Sequence, residues 1–321
     1  AIPKPANKLA CNGVACKNQM PGPGAKGSGQ GAILNFQEWQ KIQVCLDTIT
    51  QNKQVHTTIE LFGRAFAYPI FAGPVGAVKM HYGDLYNDVE YNDLLVRACA
   101  NHKIAAFTGD GVDPTVMQAA YEAIKNANGL AVPTIKPWNL QMIQEKLDLV
   151  EGANPFAIAM DIDAAGLPFL KNIKPPAGSK SVEELKEIIS LTKRPFILKG
   201  IMTVKGAMKA LEAGAAGIVV SNHGGRVLDG CQATAKVLRE IVLAVDGRMK
   251  IFVDGGIRSG GDVFKALALG ADAVLIARPF VNAIYGDGIK GVDSYLAKIT
   301  DELIDTMSMC GAYEISEIIP E

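Results

Sequence analysis

Short apolar runs alternate along the chain with longer amphipathic segments. Eight runs rich in β-branched or aliphatic residues occur at 70–72, 105–108, 131–134, 156–161, 196–200, 217–221, 251–254 and 273–276. The segments between them repeat apolar positions with helical spacing, at 93–103, 113–128, 139–150, 181–192, 203–213, 234–245 and 261–269. Strands alternating with helices predict βαβ units and a parallel sheet. Eight such units fit a closed (β/α)₈ barrel better than an open sheet.

An internal repeat supports the barrel. Residues 209–221 read KALEAGAAGIVVS, and residues 265–277 read KALALGADAVLIA. Each segment passes from a helix through a Gly-Ala turn, where glycine suits a left-handed C-cap, into a buried strand. An open doubly wound sheet is the alternative, but the GxGxxG turn expected after its first strand is missing.

These patterns predict an α/β protein with one TIM barrel. The barrel should occupy residues 70–321 and end in a helix over 293–309. Residues 1–69 are predicted to form an N-terminal extension, whose Gly- and Pro-rich part at 21–31 is a loop by composition. That loop fits a flexible approach to the barrel and a ligand-contacting lid equally well.

Composition and charge exclude several classes of protein. A chain of 321 residues that is 49% hydrophobic and 20% charged is not largely disordered. A formal net charge of −1 argues against a nucleic-acid or membrane-surface partner. No apolar stretch suggests a membrane span or a secretory signal, so we expect a cytoplasmic protein. The six cysteines are dispersed along the chain, so we expect them to be reduced thiols. Cys11 and Cys16 are the one close pair, which is weak evidence for a metal, and we predict no metal site.

Two segments predict a phosphate site. In barrels of this kind, residues that follow the strands form the site, and phosphates bind after strands seven and eight. The seventh run is followed by DGGIR at 254–258, and the eighth by Ala277 and Arg278. Paired glycines let backbone N–H groups approach an anion, and arginine supplies charge and forked donors. Either segment alone could be a tight turn beside a solvated arginine, but both together favour phosphate binding.

Polar residues after the other runs suggest acid–base chemistry. His223 and Arg226 follow the sixth run, where an imidazole can take a proton and a guanidinium can clamp a carboxylate. Lys199 lies near the end of the fifth run, inside an otherwise apolar segment, and is costly to bury unless it meets an anion. Asp161 and Asp163 follow the fourth run; either could orient His223, or one could merely cap a loop.

Two long motifs resemble a known family. The segment SNHGGRVLDG at 221–230 and the segment VDGGIRSGGDVFKALALGADAVLIARP at 253–279 resemble the FMN-dependent α-hydroxy-acid oxidase/dehydrogenase family, which includes glycolate oxidase and lactate oxidase. The resemblance runs over residues 69–288 and is densest over 196–279. It implies FMN as cofactor, a small 2-hydroxy acid as substrate and a homo-oligomer. It leaves open oxygen, a quinone or a protein as electron acceptor.

The resemblance also implies a role for each matching residue. His223 would be the general base, paired with Asp163, and Arg226 would bind the substrate carboxylate. Lys199 would stabilise negative charge on the reduced flavin ring. The implied cofactor contacts are Pro74, Val75, Gly76, Thr108, Lys199, Ser221, Asp254, Gly255, Gly256, Arg258, Ala277 and Arg278.

Three departures concern the substrate. The family's N-terminal tyrosine has no counterpart in the Gly-rich segment, and the tyrosine expected after strand three is replaced by PTIKPW at 133–138. A second arginine, expected after the strand-four aspartate, is absent from DAAGLPFLK at 163–171. Lys136 or Lys171 could replace the lost contacts, and Trp138 could wall the pocket.

Three functions therefore compete. The first is oxidation of a lactate- or glycolate-like acid. The second is FMN chemistry on another substrate, including non-redox chemistry of the isopentenyl diphosphate isomerase type. The third is a non-catalytic barrel that binds a phosphorylated ligand, which the intact set of Lys199, His223 and Arg226 argues against.

Overall fold

The barrel closes through eight parallel strands. The computed structural model describes residues 26–167, 170 and 177–320, so Cys11, Cys16 and Lys171 lie outside it. Its strands are β1 (Ile59–Leu61), β2 (Arg64–Phe66), β3 (Ile70–Ala72), β4 (Ala106–Thr108), β5 (Ala131–Ile135), β6 (Ile158–Asp161), β7 (Phe196–Ile201), β8 (Gly217–Val220), β9 (Lys250–Val253) and β10 (Ala273–Ile276). Strands β3 to β10 pair in chain order, and β10 pairs with β3. The predicted α/β barrel is confirmed, and each apolar run became one of its strands.

Helices cover the barrel between these strands. They are α1 (Gln30–Lys41), α2 (Val78–Tyr82), α3 (Asp88–Asn101), α4 (Pro114–Asn126), α5 (Leu140–Glu151), α6 (Val182–Ser190), α7 (Val204–Glu212), α8 (Thr234–Val245), α9 (Gly260–Ala268) and α10 (Arg278–Met309). Capping boxes begin three of them, led by Asn87, Ser181 and Ser259. The helix predicted over 293–309 is the second half of α10, which is interrupted by non-helical backbone at Asp287 and Gly288. Within the described ranges no helix is both long and apolar enough to cross a membrane.

Aromatic side chains fill the barrel interior near the starts of the strands. The rings of Phe71 and Phe107 lie 6.1 and 5.8 Å from the ring of Phe252, all three buried. The antiparallel hairpin of β1 and β2 adds Phe62, whose ring lies 6.4 Å from that of Phe252. Phe62 also contacts Gly217, the first residue of β8, so the hairpin closes the amino-terminal end of the barrel. The opposite end of the barrel, where the strands end, remains open to ligands.

Helix α1, which precedes the barrel, packs against loops at that carboxyl-terminal end. Buried Asn35 exchanges two amide hydrogen bonds with Asn222, at 2.7 and 2.9 Å. The indole N–H of Trp39 donates to the carbonyl of Gly255 at 2.8 Å. A Cβ at Gly256 would lie 2.2 Å from the Asn35 carbonyl oxygen, so only glycine fits there. Part of the N-terminal extension thus braces the loops that follow β8 and β9, while the domain division at residue 69 stays a prediction.

Removing this brace should destabilise the protein. We expect Asn35→Leu to lower the free energy of unfolding by about 1–3 kcal/mol, because Asn222 would lose its buried amide partner. Urea unfolding of the purified proteins measures the change. Gln37→Leu alters an exposed residue of the same helix and should have little effect. Equal effects of the two substitutions would show that the amide pair is not the source of the stability.

Candidate active site

A cavity of about 410 Å³ opens where the barrel strands end. Its wall comes from segments that follow β3, β4, β5, β8, β9 and β10, with β6 and β7 contributing their own residues. The structure brings together on this wall most of the residues singled out from the sequence, namely Pro74, Val75, Gly76, Lys136, Lys199, His223, Arg226, Asp254, Gly255, Gly256, Arg258, Ala277 and Arg278.

Three of the described residues predicted to act in catalysis or to contact the cofactor lie elsewhere. Ser221 and Asp163 sit behind the wall, in hydrogen bonds with Lys199 and His223. Thr108 is buried within β4 and does not line the cavity. Residues 109–113, which follow β4, form this part of the wall instead. The wall begins one residue later because Gly109 packs against the backbone of Val75: a Cβ there would lie 2.4 Å from the Val75 carbonyl carbon.

The loop after β8 holds His223 in an uncommon backbone conformation. His223, Gly224 and Gly225 all have positive φ, at 56°, 65° and 84°. Positive φ is uncommon for a residue with a side chain and persists where the surroundings enforce it. Here the Asn222 side chain accepts from the N–H of Gly225 at 3.1 Å, and Ser221 Oγ accepts from the N–H of His223 at 3.1 Å. The loop therefore fixes the position of the imidazole before any ligand binds.

His223 forms a pair with Asp163. Its Nδ1 lies 3.0 Å from Asp163 Oδ1. Because a carboxylate only accepts, Nδ1 carries the proton and Nε2 is left to accept one. Burial lowers the pKa of His223 well below its usual value, and the positive charges of Lys199, Lys136 and Arg226 lower it further. The negative charge of Asp161 raises this pKa but does not offset the other effects. Burial raises the pKa of Asp163, although the positive charges of Lys199 and Lys136 lower it in part. His223 is therefore a neutral imidazole ready to act as a base.

Lys199 brings a fixed positive charge into the cavity. Its ammonium donates to Ser221 Oγ at 2.9 Å and lies 3.3 Å from Asp254 Oδ2. Burial alone would lower the pKa of Lys199, but Asp254, Asp163 and Asp161 raise it above its usual value. The lysine therefore stays charged although it is almost completely buried.

Arg226 is accompanied by a tyrosine from another segment. Burial and Arg278 lower the pKa of Arg226, whereas Tyr82 raises it. Tyr82 ends α2 and lines the same cavity. Tyr82 was not among the residues singled out from the sequence, because the family resemblance places its tyrosines in the N-terminal loop and after the third barrel strand.

The part of the cavity wall formed by the loops after β9 and β10 fits an anionic group. Gly255 and Gly256 have φ values of 88° and 85°, so their backbone follows a path that a side chain would disfavour. Arg278 Nη1 is buried and has no hydrogen-bond partner among the described residues. A buried guanidinium N–H requires an acceptor, and a phosphate oxygen supplies one. The residues predicted to hold the FMN phosphate therefore suit that group.

Charges of alternating sign follow one another around the mouth of the barrel. These charges lie within, or at most two residues after, β4, β5, β6, β7 and β9, and belong to Asp110, Lys136, Asp161, Lys199 and Asp254. Lys136 Nζ lies 2.5 Å from Asp161 Oδ2. We refer to these five residues as the charged rim. Among these five residues, the family resemblance implies cofactor contacts for Lys199 and Asp254 alone.

Asp110 anchors this rim to the outer helices. Its carboxylate accepts from the N–H of Lys136 at 3.0 Å, from Trp138 Nε1 at 2.6 Å and from Lys146 Nζ at 2.7 Å. Trp138 therefore does not wall the cavity as anticipated; it is buried behind it and holds Asp110. The signal available in the sequence was a charged residue within two positions of the end of an apolar run, as at Lys199.

Comparison with known proteins agrees with the motifs. The chain matches the family described as FMN-dependent dehydrogenase over residues 23–174 and 175–321. It is 46% identical to glycolate oxidase 3 of Arabidopsis thaliana and 49% identical to 4-hydroxymandelate oxidase of Amycolatopsis orientalis, over 140 residues each. Each match covers 44% of this chain but only 38% of the relative's length.

A solved structure shares the whole architecture. A mandelate oxidase variant with a monooxide FMN adduct superposes with a TM-score of 0.78 at 30% identity, and the match covers 92% of both chains. The family match extends over nearly all of the sequence. The chain therefore belongs to the FMN-dependent dehydrogenase family.

Proposed function

We propose that the protein oxidises a small 2-hydroxy acid to the 2-oxo acid with bound FMN. The observation that carries this proposal is the pairing of His223 with Asp163 at 3.0 Å, on the same cavity as Arg226 and Lys199. A base, a carboxylate-binding cation and a fixed cation at the cofactor are the groups that this oxidation requires. The relatives include a glycolate oxidase, an L-lactate oxidase and a 4-hydroxymandelate oxidase, which supports the substrate class.

Each residue then has a defined task. Bound FMN would supply the acceptor for the two electrons and for the one proton that His223 does not take. Arg226 binds the substrate carboxylate, and Nε2 of His223 takes the substrate proton while Asp163 keeps the imidazole in the correct tautomer. Lys199 holds positive charge where negative charge develops. Lys136 contacts the substrate, and the remaining wall residues named above hold the cofactor, with Ser221 supporting Lys199.

Anaerobic mixing tests the proposal. We expect FMN-loaded protein to lose its flavin absorbance with at least one acid among glycolate, lactate and mandelate, and to recover it with a suitable acceptor. A failure to bleach with any 2-hydroxy acid would favour the second candidate, flavin chemistry of the isomerase type. Protein whose melting temperature does not respond to FMN would contradict both.

The pH dependence should show the lowered pKa of His223. Because only the neutral imidazole accepts a proton, kcat/KM should stay constant as the pH falls through the ordinary histidine value of 6.5 and should decline only at lower pH. A profile of kcat/KM against pH measures this. A decline that begins above pH 6.5 would contradict the assignment of a buried, neutral base.

The remaining predictions concern the setting of the reaction. The identity of the acceptor, the homo-oligomeric state and the cytoplasmic location stay predictions. Rates of reoxidation by oxygen and by a quinone, measured after anaerobic reduction, distinguish an oxidase from a dehydrogenase.

A further inference from the structure

Lys136, which has only an unspecified substrate contact in the proposed function, forms a buried ion pair with Asp161. Both side chains are almost fully buried, with 11% and 3% exposed, and both residues line the cavity. The only hydrogen-bond partner of the Lys136 ammonium among the described residues is Asp161 Oδ2, at 2.5 Å. An ammonium group has three donors, so two remain for a ligand.

Asp161 is also incompletely satisfied. Its Oδ1 is buried and has no hydrogen-bond partner within the described part of the chain. One ligand atom each from Asp161, Asp163 and His223 lies within 4.8 Å of the others. The ion pair therefore adjoins the proposed general base, in the space that a substrate must enter.

We propose that Asp161 holds the Lys136 ammonium on the cavity wall so that Lys136 donates a hydrogen bond to an oxygen of the bound 2-hydroxy acid. Lys136 thereby acts as a second cation beside Arg226, and Asp161 is a positioning residue. This inference rests on the proposed function. A charged donor in a water-poor cavity strengthens the hydrogen bond to a substrate oxygen.

Lys146 and Asp110 form a second buried ion pair, in which the lysine lies outside the cavity wall. Lys146 Nζ lies 2.7 Å from Asp110 Oδ1, and these side chains are 12% and 0% exposed. Lys146 comes from α5 and does not line the cavity. The substitution Lys146→Met therefore removes an ammonium group of similar burial that does not itself line the cavity. Its partner Asp110 does line the cavity but keeps the hydrogen bonds from Trp138 Nε1 and the Lys136 N–H, which makes Lys146→Met the matched control.

The charges around His223 predict opposite effects of the two partners. His223 faces Asp163, Asp161, Lys136, Lys199 and Arg226, and among these Lys136 lowers its pKa whereas Asp161 raises it. Removing Lys136 should therefore move the acidic limb of the kcat/KM profile to higher pH. Removing the charge of Asp161 should move it to lower pH. A general loss of packing would not shift the acidic limb to higher pH in one variant and to lower pH in the other.

The experiment compares Lys136→Met, Asp161→Asn, the double variant and Lys146→Met, each loaded with FMN. Three quantities are measured: the pH profile, the affinity for FMN and the affinity for oxalate, a dicarboxylate with no C–H bond to oxidise. Oxalate binding is followed through the flavin absorbance. We expect Lys136→Met to weaken oxalate binding by roughly tenfold or more while FMN affinity is retained, and Lys146→Met to change neither.

The double variant guards against misfolding, because it leaves no unpaired charge. It should bind oxalate as weakly as Lys136→Met, with its acidic limb close to that of the unsubstituted protein. The proposal is overturned if Lys136→Met binds oxalate as tightly as Lys146→Met, or if FMN affinity falls by the same factor as oxalate affinity. A shift of the limb in the same direction in both single variants would also overturn it. If the unsubstituted protein oxidises no 2-hydroxy acid, the proposed function fails. If that protein still binds oxalate, the oxalate affinities of Lys136→Met and Lys146→Met continue to test the role of Lys136.

Discussion

Replacing His223 by glutamine should lower kcat/KM for the best 2-hydroxy acid by about 10²–10⁴-fold, the range typical of a lost general base. Glutamine can still fill the space and reach Asp163, but its amide does not take a proton at neutral pH. The effect should therefore appear mainly in the rate of flavin reduction. Stopped-flow measurement of the anaerobic half-reaction determines that rate.

The chain offers a matched control for this substitution. His102 Nε2 lies 2.8 Å from Asp293, so it too is a histidine paired with an aspartate, but it does not line the cavity. His102→Gln should leave flavin reduction close to that of the unsubstituted protein. FMN content should be retained in both variants. If His223→Gln reduced its flavin as fast as His102→Gln, His223 would not be the base.

Replacing Lys199 by methionine should reduce both stability and cofactor affinity. Asp254 would lose its charged partner at 3.3 Å, and its Oδ1 already has no partner among the described residues. Breaking a buried ion pair by removing one partner costs about 3–5 kcal/mol, because the other charge is left uncompensated. We expect a loss of free energy of unfolding at the lower end of this range, since Asp254 is partly accessible from the cavity.

An exposed ion pair provides the comparison. Lys250 Nζ lies 2.8 Å from Asp272 Oδ1, but their side chains are 43% and 28% exposed. Lys250→Met should cost less than about 1 kcal/mol, as exposed pairs do. Chemical unfolding of the FMN-free proteins and titration with FMN measure the two effects separately. An unfolding free energy that responds equally to both substitutions would contradict the structural role given to Lys199.

The barrel strands were predictable because each is buried on both faces. Such strands appear in the sequence as short uninterrupted apolar runs, and the run at 273–276 became β10 without a change of bounds. The hairpin of β1 and β2 was missed because each of its three-residue strands has one buried position, too few to form an apolar run or to show a period. Helix α1 was missed because its N-terminus lies in a Gly-rich segment without a capping side chain.

The site was predictable where one motif carries several of its residues. His223 and Arg226 share a loop, as do Asp254 and Arg258, so their proximity follows from the order of the chain. The pairing of Lys136 with Asp161 joins the ends of two neighbouring strands that are 25 residues apart. Which side chains meet across such a gap depends on the register of the closed barrel, which no local pattern specifies.

The brace formed by α1 also determines when the site is completed during synthesis. Asn35 leaves the ribosome 187 residues before its partner Asn222, and Trp39 leaves it 216 residues before Gly255. Contacts of such sequence separation form late, because the intervening chain must first be ordered. The loops that carry His223 and the paired glycines Gly255 and Gly256 therefore reach their final positions only after β8 and β9 have joined the barrel. Cofactor capture is accordingly one of the last events in maturation, and a nascent chain stalled before β9 has no complete FMN site.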